Sequence, residues 1–523
     1  MAMAIDKGAS QPHHERKRVL LSMVVIIAAA PLFIYLSIRL TGQIQWEQAR
    51  KALTQKKFES AIQKILKANQ RLPRNHEILI TMGRIYLEAS SVEPPKTALA
   101  LASKAQKKFQ NAVELNPHDV EAVFGLAEAE ARLETLALLN GIMPSEHNFN
   151  AEPIYQEVLR LRPNGIYYHW RFIDYLYAKD KDEAMLPLVE NLVCIYPPAV
   201  NKLMTKHLWS AECREAARKG LNLALAGGRQ AKVALVGMSD LAADEKNWLD
   251  AAAFLKEALK YKKTKPAFYE YYQLGRLLIN SMQYKEARTA FLEAMSIAQD
   301  KTTCFQWTLS QWRKTENVGL LVNYYNDAET LFHLTSVDRI NYAKTLFFLK
   351  AYTIALKILE KNNQEHPSAE GFYWIARIHD KSEDWDAMEI ASQKATVLAP
   401  TNSDYHYLFS HVLAIKNKLE HAESEASRAI ESAREPTATQ YSLRARIRWR
   451  RENYRGALDD WEVASSLDPT RAEYYAWKGT VHEKLGDWTA VAESYEKAIE
   501  LDPENHYYQS QYSNAMKLVG RKP

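Results

Sequence analysis

Residues 486–503 read Gly-Asp-Trp-Thr-Ala-Val-Ala-Glu-Ser-Tyr-Glu-Lys-Ala-Ile-Glu-Leu-Asp-Pro, and this stretch decides the fold. Gly486-Asp487 supplies a turn between two helices. Val491, Tyr495 and Ala498 follow at helical spacing and share one face. Pro503 ends the second helix, because the residue before a proline is pushed out of helical geometry. Upstream, Tyr475, Gly479 and His482 lie along the first helix. Gly479 and Ala498 are small enough for the two helix backbones to approach closely, and Tyr475 and Tyr495 fill the space that remains. Asp502 or Glu504 then favours the start of the next helix.

The same closing proline recurs. Pro367, Pro400, Pro436, Pro469 and Pro503 stand 33, 36, 33 and 34 residues apart. A fixed period of this length means stacked units, each packing only on its neighbours, and not one closed core. Related positions recur up the chain: Ala445, Ala457, Trp461 and Ala464; Tyr271, Leu274, Gly275, Ala287, Phe291 and Ala294; Met82, Gly83, Tyr86, Ala105, Phe109 and Ala112; Phe58, Ala61, Ile65, Ala68 and Pro73.

These residues resemble the tetratricopeptide repeat, a helix–turn–helix unit of about 34 residues. The resemblance implies an all-α fold, an α-solenoid of about thirteen such units between residues 43 and 503. Three regions depart from the pattern: Ser90–Lys96, a loop at Asn140–Asn150, and Val200–Asn247, which keeps helical content but loses phase. Gly227-Gly228 marks a break, so the expected organisation is an irregular array over 43–227, a second array over 228–503, and a capping helix and tail over 504–523.

Val19 to Ile38 contains no charged residue, and twenty such positions match the thickness of a hydrocarbon layer. Arg16-Lys17-Arg18 precede it and Arg39 follows. The expectation is a retained signal-anchor over 19–39 behind a basic tail over 1–18, with Pro31 disfavouring cleavage after Ala28-Ala29-Ala30. A short basic tail stays cytoplasmic, which places the array in the periplasm of a bacterial inner-membrane protein.

Composition agrees with an interaction protein. Lys and Arg number 68 against 63 Asp and Glu, a net charge of +5 that does not imply nucleic acid. Cys194, Cys213 and Cys304 form no Cys-x-x-Cys pair and read as packing residues, with a Cys194–Cys213 disulfide the alternative. No phosphate loop, nucleophile elbow, zinc helix or dinucleotide fingerprint is present. No enzyme, cofactor or metal site is therefore expected.

In the repeat that the chain resembles, the first helix of each unit lines the concave surface, through positions 2, 5, 9, 12 and 13. The resemblance carries position 9 onto Arg276, Lys344, Arg377, His411, Arg446 and finally Thr480, and position 5 onto Tyr272, Ile340, Tyr373, Tyr407 and Ser442. Positions 12 and 13 add Phe347, Trp449 and Arg450. The expected surface is a basic stripe flanked by aromatics, suited to an anionic peptide or glycan. Exposed helix faces also carry Lys and Arg for solvation alone.

The expected function is a non-catalytic, membrane-anchored scaffold for protein–protein interactions in the cell envelope, with surface polysaccharide assembly or export as the process suggested by analogy. The alternatives are a glycan- or peptide-binding module, or an accessory subunit of a large membrane complex such as one for cytochrome c maturation.

Overall fold

A computed structural model of the chain describes residues 12–142, 149–206, 209–228, 230–261 and 266–520, with side chains from residue 30 onward. The protein is all-α, and the described residues form twenty-seven helices. Most follow one another as antiparallel pairs. The chain divides into two compact units, Met1–Tyr261 and Lys262–Pro523.

The first unit opens with a helix of 43 residues, Pro12–Thr54, which runs unbroken through Pro31 and Gly42. Its C-terminal part packs on Phe58–Arg71. The expected span and the first repeat helix are thus one continuous helix. Gly42 serves a close approach, since a Cβ there would meet the Leu72 side chain at 2.9 Å. Among the described residues no helix is long and apolar enough to cross a membrane. The side chains of 19–29, over half of the expected span, lie outside those residues, as do the tail 1–11 and residues 143–148 of the Asn140–Asn150 loop.

Two further pairs follow, His76–Ser90 with Pro95–Leu115 and Val120–Leu139 with Glu152–Leu161. Phe109 supplies their contact by sitting between two glycines. A Cβ on Gly83 would lie 2.8 Å from its ring, and one on Gly125 2.1 Å. Buried Glu134 anchors the far end of the loop, accepting from the Ala151 backbone N–H at 2.8 Å and pairing with Lys179 at 2.6 Å.

The phase slip expected over Val200–Asn247 has a structural form. A helix of six residues, Ala199–Met204, precedes Ala211–Ala226, which packs back on Asp182–Ile195. Gly220 allows this, because a Cβ there would stand 2.4 Å from the Glu190 carbonyl oxygen. Gly227 caps Ala211–Ala226, and that helix packs on Ala231–Asp244 beyond the Gly227-Gly228 break.

The second unit contains seven pairs from Phe268–Asn280 to Trp488–Leu501, closed by His506–Val519. The reading of residues 486–503 describes its packing rule. Tyr495 is fully buried against Gly479, where a Cβ would meet its ring at 2.7 Å, and its hydroxyl bonds Thr480 at 3.0 Å. Phe291 sits in the same way against Gly275, at 2.4 Å. Trp461, also fully buried, stacks on Trp477 at 5.8 Å. Burying each such side chain contributes about 1.5–3 kcal/mol.

Every turn within a pair of this unit uses one left-handed residue. These are Met282, Glu316, Lys350, Glu383, Asn417 and Glu452, and finally Gly486 at φ 77°. Asn or Asp then caps several of the following helices: Asn317 accepts from Leu320 N–H, Asp384 from Ala387, Asn453 from Gly456 and Asp487 from Ala490. The turn and cap together set where each second helix begins.

Candidate functional site

Three first helices of the second unit frame the candidate site: Ala369–Ser382, Ser403–Ile415 and Ala438–Arg450. Each start is fixed by a cap. The Ser368 hydroxyl accepts from Gly371 N–H at 3.1 Å, and Asn402 accepts from Asp404 and Tyr405 N–H at 3.1 and 3.3 Å. At the third, the Gln440 side chain accepts from Thr437 N–H at 2.8 Å. With these registers set, residues four apart on one helix face the same way. Tyr373 and Arg377 from the first helix, and Tyr407 and His411 from the second, line one cleft of about 490 Å³. Asp380, Asp404 and Leu408 complete those walls, and Thr437, Thr439 and Gln440 close the third.

Arg377 is held rigidly. It donates to the Tyr373 hydroxyl at 2.9 Å, and its guanidinium lies over the rings of Phe347, Trp374 and Tyr373 at 5.4, 5.5 and 5.7 Å. Such stacking contributes about 0.5–2 kcal/mol per ring contact. Among the described residues no carboxylate is ion-paired with it. Tyr405 tilts against Tyr373 at 5.0 Å and extends the aromatic wall.

Charges of both signs act across the cleft. Burial pushes the His411 pKa down; Asp380 opposes this, and Arg446 and Lys381 add to it. Burial pushes the Tyr407 hydroxyl up, with Arg446 opposing and Asp380 adding. His411 is thus a neutral hydrogen-bonding group near pH 7, flanked by a cation and an anion.

The other expected groove residues divide. Lys344 ion-pairs with Glu370 at 3.0 Å and lies over Trp374 at 5.5 Å, and Phe347 is buried against Trp374 at 5.2 Å. Both therefore adjoin the Arg377 cage, and Arg446 acts electrostatically on Tyr407 and His411. Tyr272 is buried beside Trp307 and Phe291 and accepts from Gln311 at 3.0 Å, while Arg276 donates to Gln273 at 2.8 Å. Trp449 packs on Trp477 at 5.6 Å, and Arg450 donates to the Ala414 carbonyl at 2.6 Å and to Asn417 at 2.9 Å. These four, like Lys344, Phe347 and Arg446, lie outside the residues that line the cleft.

Six cleft residues escaped the sequence reading: Asp380, Asp404, Leu408, Thr437, Thr439 and Gln440. For three of them the signal was available. Asp380 follows Arg377 by three residues, and Asp404 and Thr439 precede Tyr407 and Ser442 by three, which are positions 12 and 2 of the repeat. The surface expected to be a basic stripe has two carboxylates in it at this point.

Elsewhere, a smaller cleft of about 400 Å³ in the first unit is lined by Glu88, Glu128, Arg132 and Arg171. Its Arg171 is already committed to Glu128, at 3.0 Å through Nε. All three cysteines are free thiols, so no Cys194–Cys213 disulfide forms. Burial pushes Cys213 and Cys304 up to about 11, which keeps both protonated. Among the described residues no group of three or more His, Cys, Asp and Glu is placed to hold a metal ion.

Three segments match tetratricopeptide-repeat family models: residues 101–138, 271–301 and 472–505. The chain therefore carries tetratricopeptide repeats, and both units contain them. No curated protein matches the chain. Among solved structures, YrrB, a TPR protein with an unusual peptide-binding site, is 18% identical; the match covers 36% of this chain and 96% of that one, with a TM-score of 0.33. The APC/C hetero-tetramer Cut9-Hcn1 is 12% identical over 94% of this chain and 99% of that one, with a TM-score of 0.35. MamA (41-end) from Desulfovibrio magneticus RS-1 is 19% identical over 32% and 96%, with a TM-score of 0.31.

Proposed function

We propose that the chain is a non-catalytic scaffold that holds an extended segment of a partner protein in the cleft of its second unit. Tetratricopeptide repeats bind other proteins or peptides, and the observation that carries the reading to this cleft is Arg377. A guanidinium stacked on three rings and pinned by Tyr373 forfeits little side-chain freedom on binding. It opens onto a cleft of about 490 Å³ with no carboxylate bound to it. The Thr437 and Thr439 hydroxyls, which bond each other at 2.9 Å, keep acceptor capacity for the amides of an extended backbone.

Peptide display on the full chain tests this. A selected peptide is titrated against the wild type and against the R377E/R446E double variant. The proposal expects capture to be lost while the double variant stays folded, at an unfolding midpoint lowered by the lost Arg377 stacking; equal capture by the double variant removes the assignment. Capture of an anionic glycan on an array, with no peptide selected, makes the cleft a glycan site instead.

We also propose that residues 19–38 tether the array to a bacterial inner membrane, with the repeats in the periplasm. The uncharged run between Arg18 and Arg39 supports this, as do Leu32, Phe33, Ile34, Leu36 and Ile38, all solvent-exposed on their helix. Envelope polysaccharide assembly is the process this placement suggests, by analogy. A reporter active only in the periplasm, fused after Pro523, is expected to be active. Activity confined to a cytoplasm-only reporter rules the orientation out.

A further inference from the structure

The cleft around Arg377 is lined by one cation, Arg377, and two anions, Asp380 and Asp404. Arg446 and Lys381 stand outside this lining and act on His411 electrostatically. Among the described residues no ion pair joins either arginine to either aspartate, and Asp380 pairs instead with its chain neighbour Lys381 at 3.3 Å. Elsewhere in the same unit opposite charges do meet: Lys344 with Glu370, Arg444 with Asp460, Arg448 with Glu423. Arg377 is engaged instead by three rings and the Tyr373 hydroxyl.

From this juxtaposition we infer that the cleft recognises a peptide segment of mixed charge, with a carboxylate side chain for Arg377 and a basic side chain for Asp404. The inference rests on the peptide reading proposed above and narrows it. A uniformly acidic segment brings its second carboxylate against Asp380 or Asp404, and like charges in a partly desolvated cleft oppose binding. A uniformly basic segment meets Arg377 in the same way. His411 adds no further cation near neutral pH, because burial disfavours its charged form.

The test is a display selection with random nine-residue peptides of unbiased charge against the full chain. The winners are titrated against wild type, Arg377→Ala and Asp404→Lys. Asp404 is exposed, so its replacement leaves folding intact, and the thermal unfolding midpoint checks this. Winners are expected to carry at least one acidic and one basic residue, and each substitution is expected to weaken them about tenfold or more. Winners that need Arg377 but are uniformly acidic and indifferent to Asp404→Lys overturn the mixed-charge inference and leave the peptide reading standing. Winners indifferent to Arg377→Ala, or no winners at all, overturn the peptide reading and this inference with it.

Discussion

The guanidinium of Arg377 donates to the Tyr373 hydroxyl one helical turn away, at 2.9 Å, and lies over the same ring at 5.7 Å. One tyrosine thus positions the cation in two ways. Removing the hydroxyl alone, as Tyr373→Phe, keeps the ring contact and is expected to weaken a bound peptide several-fold. Arg377→Lys loses the planar stacking on all three rings and is expected to weaken it more. Calorimetric titration of both variants with one selected peptide ranks the two effects.

Two glycines near the end of the array separate packing from backbone strain. At Gly479 a Cβ would stand 2.7 Å from the Tyr495 ring, so Gly479→Ala forces the ring aside and costs about 1–3 kcal/mol. At Gly486 no atom lies within 4 Å of a Cβ, but φ is 77°, so Gly486→Ala costs about 1 kcal/mol from the backbone alone. Native-state hydrogen exchange over residues 472–501 reads both, and is the right measurement for an array that need not unfold in one step.

Asp460 is 2% exposed and accepts from Arg444 at 2.7 and 3.0 Å and from Arg448 at 2.9 Å. Asp460→Ala leaves two largely buried guanidiniums without this partner. The expected cost is about 3–5 kcal/mol, seen as early loss of exchange protection in Ala438–Arg450 and Tyr454–Leu467.

Burial holds His411 below its ordinary value of 6.5, and the same cause acts on His169 and His482. The unfolded chain binds these protons more tightly than the folded one. The stability tied to the neutral rings is therefore fully present above pH 6.5 and is lost as the pH falls from there toward the folded values. Thermal unfolding between pH 7.5 and 5 is expected to show a falling midpoint, and His411→Gln is expected to flatten that fall.

The pairing rule was legible because it is local. Tyr495 and Gly479 sit sixteen residues apart within one unit, and the recurring proline exposes the period. The cleft was partly legible: Tyr373, Arg377, Tyr407 and His411 are positions 5 and 9 that the resemblance to the repeat implies. The Lys344–Glu370 ion pair was not, since it depends on how neighbouring pairs approach. Left-handed turns at Met282 or Lys350 carry no glycine to announce them; the helices on both sides impose the geometry. The unbroken passage through Gly42 was also hidden, because a small residue reads equally as a hinge or as a place of close contact, and only the position of Leu72 decides.

The most direct test of the central claim is hydrogen–deuterium exchange of the full chain with and without a display-selected peptide. The account predicts new protection in Ala369–Ser382, Ser403–Ile415 and Ala438–Arg450, centred on Tyr373, Tyr407 and Gln440. Protection confined to other helices, with these three unchanged, would contradict it.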